Sequence, residues 1–166
     1  MDEKRQLLQH FLAALAYRTQ KSLRDAPDSY AAFRVIPGVR TPHEILFHMT
    51  GVLGLARTFF TGESEYRPDR LPEFQQEIKR FHDILENLSS HLIIRTPLQG
   101  TTPEKLLQGP FADAMTHAGQ LALLRRLHGN PIEPENFHEA DIDPSNLGPD
   151  QPDPISPDEK CEEPED

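Results

Sequence analysis

Cysteine is nearly missing from this chain of 166 residues: Cys161 stands alone. One thiol closes no internal disulfide, so a small disulfide-held framework is excluded and a reducing, cytoplasmic setting is expected. Long hydrophobic runs are also missing. No stretch of 18 apolar residues occurs, and Met1-Asp2-Glu3-Lys4-Arg5 lacks the apolar run of a signal peptide, so a soluble chain without membrane contact is expected. Basic excess is lacking too, since 17 Lys and Arg stand against 27 Asp and Glu, a formal net charge of −10. No basic, aromatic-rich face emerges, which argues against nucleic acid as a partner.

The negative charge is concentrated. Residues 131–166 hold 13 acidic side chains against one basic, a net of −12, together with 8 of the 16 prolines. Residues 1–130 hold 16 basic against 14 acidic, a net of +2. The first part reads as one helical domain long enough to bury a core. The second reads as an extended, Pro-rich acidic tail that cannot bury enough to fold alone. Phe137 with Ala140 and Ile142, and the turn-like Leu147-Gly148-Pro149-Asp150-Gln151, are its candidates for docking on the helices. Everything past about Pro154 is expected to be mobile.

Apolar spacing in the first part is helical throughout, giving an all-α expectation. Leu7, Leu8, Phe11, Leu12, Leu15 and Leu23 mark a first helix over residues 2 to about 23. Residues 24–40 form a connector in which Ala31 to Ile36 is apolar enough to pack down. Thr41-Pro42-His43-Glu44 is a capping box with proline at the first helical position, opening a helix from Pro42 to about Phe60. Its apolar stripe is read as Ile45, Val52, Leu55 and Phe59. Gly51 and Gly54 within it allow close approach of a neighbour. Leu71, Phe74, Ile78, Phe81, Leu85, Leu88 and Leu92 alternate steps of three and four, the seam of a bundle helix. Thr102-Pro103 starts a short extra helix over Glu104 to Gln108, and Gly109-Pro110 breaks it.

The helix from Pro110 to His128 organises the rest. Leu121, Leu124 and Leu127 share a stripe, and Asp113, His117 and Gln120 fall on it. Polar groups aimed into an apolar seam are costly to bury without partners. A metal ion would satisfy them. His48 lies within the second helix's stripe, whereas His43 projects to the opposite side, so only His48 points where Asp113 and His117 point. The plainer alternative is a satisfied core histidine and an Asp113 that caps its own helix. His82 at the edge of the third helix's seam and His91 outside it are read as structural, and His10 as solvated surface.

A histidine on the second helix, followed much later by ligand-x-x-x-His-x-x-Gln-Leu running into Leu-Arg-Arg, resembles the DinB/YfiT-like metalloenzymes. The resemblance covers residues 1–129, and its most specific part is His117-Ala-Gly-Gln-Leu-Ala-Leu-Leu-Arg-Arg. It implies an up-down four-helix bundle holding a divalent metal on three ligands, usually three histidines. Mapped here, those ligands are His48, Asp113 and His117, with Asp113 departing from the commoner histidine.

Three protein ligands leave coordination positions open, the pattern of a catalytic ion. Two imidazoles and one carboxylate suit Zn²⁺, Ni²⁺ or Fe²⁺. Glu44, one turn before His48, is a candidate partner or base, and Gln120 a candidate to orient His117. The resemblance implies a thiol S-transferase or hydrolase acting on a small-molecule electrophile, with a low-molecular-weight thiol as one nucleophile. Arg34, Arg57, Arg125 and Arg126 are available as anchors for such a thiol. The alternative is a non-catalytic, stress-linked binding or scaffold protein whose metal stabilises the fold. A bundle of this size could also pair as a homodimer.

Overall fold

A computed structural model describes residues 2–157 of the chain. It is all-helical, with four long helices and no extended strand among the described residues. Helix α1 (Glu3–Leu23) opens on Asp2, whose carboxylate accepts from the Arg5 backbone N–H at 3.0 Å. Helix α2 (Pro42–Thr61) carries the complete Thr41/Glu44 capping box and ends at Gly62, whose φ of 77° closes the helix in the left-handed region. Helix α3 spans Phe74–Ile93. A single turn, α4 (Pro103–Leu106), runs through a π-helical turn (Leu107–Phe111) into α5 (Ala112–Leu127).

Around the core the neighbours run α1, α3, α2, α5 and back to α1. Leu12, Leu15, Met49, Leu53, Phe81, Leu85, Leu88, Phe111 and Leu121 are buried where the four meet. Ring contacts fix the directions. His43 meets Phe74 at the start of α2 and α3, and Phe60 stacks on His91 at the end of both. Thus α2 and α3 run the same way, and simple up-down alternation is not what the chain does. The crossover over residues 62–73 makes this possible. Twelve residues can reach roughly 40 Å extended, while the 20-residue α2 is only about 30 Å long. The crossover returns along α2: Tyr66 lies against Gly54, and Arg70 reaches Glu44.

Gly54 permits this path. A Cβ there would sit 2.0 Å from Cδ1 of Tyr66, whereas one at Gly51 would meet nothing within 4 Å. The expected close approach is real at Gly54 and absent at Gly51.

Three expectations about faces need correction. The buried side of α2 is Ile45, Leu46, Met49, Leu53, Ala56 and Phe60, while Leu55 is 45% exposed. The α2 sequence is apolar on nearly every side, so periodicity does not select its buried face. On α5, Leu121 and Leu124 are buried but Leu127 is exposed, as is Leu7 on α1. Nor does Gly109-Pro110 break the chain. Pro110 has no N–H to give, and the π turn absorbs that loss by widening, with Ala112 N–H reaching back to the Leu107 carbonyl.

Residues 131–157 lie along the helices. Glu135 is buried, accepts from the Tyr17 hydroxyl at 2.5 Å and pairs with Lys21. Phe137 meets Tyr17 edge-on, with the Arg18 guanidinium 3.9 Å from its ring centroid. Leu147 is in the core, and its carbonyl accepts from buried His82 Nδ1 at 2.6 Å. Asn136 N–H donates to the Ser156 carbonyl at 3.0 Å, so residues 155–157 are held rather than free, contrary to expectation. Cys161 and residues 158–166 lie outside the described residues. No described helix is long and apolar enough to cross a membrane.

Candidate metal centre

Two helices bring three side chains together. His48 stands on the seventh residue of α2, on a flank rather than on the buried face, and Asp113 and His117 stand one turn apart at the start of α5. The π turn immediately before α5 sets the rotation at which Asp113 emerges, in its first turn. One ligand atom from each of the three lies within 4.8 Å of the others. His48 Nε2 is 3.4 Å from Asp113 Oδ2, and His117 Nε2 is 3.6 Å from Asp113 Oδ1. The imidazole rings are 4.7 Å apart and nearly perpendicular, at 86°. Bonds of about 2.1 Å from one tetrahedral ion would hold its ligands about 3.4 Å apart, so the carboxylate-to-imidazole separations suit such an ion.

Proton positions strengthen that fit. His117 Nδ1–H donates to Gln120 Oε1 at 2.7 Å, the tautomer whose neutral ring has its lone pair on Nε2, the atom facing Asp113. Burial first, then the charge of Arg40, pushes His48 below its ordinary value, and Asp113 offsets this only in part. His48 is therefore neutral near pH 7, able to offer a lone pair. Two imidazole nitrogens and a carboxylate, all acceptors, can thus converge on one point, and a divalent cation satisfies all three. The cluster is able to hold a metal ion.

Glu44 is elsewhere engaged. It accepts from the Thr41 backbone N–H at 2.8 Å and from Arg34 at 3.0 Å, and Arg70 stands 3.6 Å away. The Thr41 bond first, and Arg34 with it, hold its carboxyl below the usual range, which makes it a weak base. Glu44 shares a cleft with His48 rather than a hydrogen bond. His43 is turned away from the cluster against Phe74.

The cationic residues divide. Arg125 is buried and clamps the end of α1, donating to the Ser22 and Arg24 carbonyls at 3.0 and 2.9 Å and to Asn130. Arg57 is taken up by Glu63 and by the face of Tyr66. Arg34 lines a cleft of about 630 Å³ beside His48, together with Arg40 and Arg70. Neither Arg40 nor Arg70 stands out in the sequence. Arg40 carries one signal, its place directly before the Thr41 cap of the helix that bears His48. A larger cleft of about 960 Å³, beyond the Arg34–Glu44–Arg70 network, contains none of the three ligand residues.

Comparison of the chain with protein-family models, with curated proteins and with solved structures finds no match.

Proposed function

We propose that the protein is a divalent-metal-dependent enzyme of the DinB-like type, built on a four-helix bundle whose two middle helices run the same way. The observation that carries this reading is the meeting of His48, Asp113 and His117 on a half-exposed flank. Three protein ligands leave positions for a small molecule, and the flank leaves a way in. A bound Zn²⁺, Ni²⁺ or Fe²⁺ would acidify a water or thiol and polarise a substrate oxygen. Asp113 supplies the negative charge of the ligand set, His48 and His117 enter as neutral imidazoles, and Gln120 fixes the His117 tautomer.

The chemistry favoured is S-transfer or hydrolysis on a small electrophile. The nucleophile, a low-molecular-weight thiol or water, gives up its proton to solvent, forms one bond to the electrophilic atom and displaces the leaving group with its electron pair. Glu44 is held by Thr41 and Arg34 and is not poised as a strong base. A bound ion would supply the acidification that generates the nucleophile.

The test is turnover by metal-free protein reconstituted with each ion, using p-nitrophenyl acetate for hydrolysis and a thiol with 1-chloro-2,4-dinitrobenzene for transfer. Metal-dependent turnover that is lost in Asp113→Ala supports the reading. Metal binding without turnover on either substrate, with unfolding on chelation, would instead establish the non-catalytic scaffold alternative.

A further inference from the structure

The candidate centre lies between two unlike grooves. Toward the start of α2, the cleft that includes His48 is lined by Arg34, Arg40, Arg70, Glu44 and Asp69. Three guanidinium groups against two carboxylates leave this cleft a net charge of +1. Arg34 and Arg70 both face Glu44, while Arg40 has no hydrogen-bond or ion-pair partner among the described residues. Toward the end of α2, a groove of about 560 Å³ that includes Asp113 is lined chiefly by Val52, Leu55, Pro110 and Ala112. Leu55 is 45% exposed there.

We propose that the substrate is an amphiphilic monoanion: its charged group pairs with Arg40 beside His48, its reactive atom lies at the metal, and its apolar part covers Val52 and Leu55. This rests on the metal reading above and adds the substrate class. Glu44 and Leu55 are 11 residues apart on one helix, a span of roughly 16 Å, so one small molecule can touch both grooves. Val52 and Leu55 set an apolar wall in the same groove as Asp113, a pairing of surfaces that suits a ligand with an apolar part. An unpaired arginine at the other side supplies a charge-assisted contact for a carboxylate, phosphate or sulfonate.

Three thiols separate the parts on the full chain loaded with Co²⁺: N-octanoylcysteine has thiol, carboxylate and tail, N-acetylcysteine lacks the tail, and N-octanoylcysteamine lacks the carboxylate. Binding is read from the thiolate-to-cobalt charge-transfer band. N-octanoylcysteine is expected to bind tighter than either partial probe by about tenfold or more. Arg40→Gln should remove its advantage over N-octanoylcysteamine and leave the cysteamine's own affinity unchanged. Leu55→Gln should remove its advantage over N-acetylcysteine. Equal binding of all three thiols, or an Arg40→Gln loss of the same size for each, overturns the proposal while leaving the metal centre in place. Failure of the wild type to bind Co²⁺ overturns the metal reading and this inference with it.

Discussion

His117 Nδ1 lies 2.7 Å from Gln120 Oε1, three residues along the same helix. That bond occupies Nδ1–H, so in the neutral ring the lone pair sits on Nε2, the nitrogen facing Asp113. A partner that orients a metal-binding imidazole is commonly worth about 10–100-fold in metal affinity. Gln120→Leu is expected to weaken Zn²⁺ binding by that order with helix content unchanged, measured by competition with a chromogenic chelator. An unaltered affinity would show that His117 is oriented by something else.

Gly51 and Gly54 make a matched pair on α2. Gly54→Ala drives a methyl into Tyr66 and should cost about 2 kcal/mol, because the crossover has to shift. Gly51→Ala meets open space and should stabilise by up to about 1 kcal/mol through helix propensity. Denaturant midpoints give both signs. The same sign for both would contradict the returning path of residues 62–73.

Glu135 joins the acidic segment to α1 through Tyr17 and Lys21, with its side chain fully buried. Glu135→Leu strands a buried hydroxyl and a nearly buried ammonium, and should cost about 3 kcal/mol. Limited proteolysis should then cut within residues 131–157 well before the helices. Protection equal to wild type would mean that the segment is held without this contact.

Acid should loosen the same segment. Burial pushes His82 below its ordinary value, more strongly than the bond to the Leu147 carbonyl raises it. The unfolded chain therefore takes up a proton that the folded chain resists. Stability is complete above about pH 6.5, the unfolded value, and falls as pH drops through it toward the lower folded value, by up to about 1.4 kcal/mol per pH unit. His43, His48 and His91 are displaced in the same direction and add to the slope. His82→Gln should flatten the fall in Tm between pH 7.5 and pH 5. A slope identical to wild type would remove His82 from the account.

Local rules reached far in this chain. The Thr41/Glu44 capping box fixed where α2 begins, and the four- and seven-residue steps from Asp113 placed His117 and Gln120 on one face, so these side chains were readable before any tertiary structure. What depends on packing was not readable. The rotation of α2 is decided by which apolar side meets α3, and the sequence offers several. The shared direction of α2 and α3 depends on twelve irregular residues that carry no periodicity. Arg125, Tyr17 and Glu135 look like surface residues until carbonyls, a hydroxyl and an ammonium from distant segments meet them. Arg40 acquires meaning only beside His48.

The central claim is that His48, Asp113 and His117 hold one divalent ion. It is tested most directly by elemental mass spectrometry of untagged protein, wild type beside His48→Ala and His117→Ala. The account predicts about one transition-metal ion per wild-type chain, and its loss from both variants while each remains helical. No metal in the wild type, even after incubation with Zn²⁺, Ni²⁺ and Fe²⁺, would contradict it and leave the three side chains as polar groups that satisfy one another.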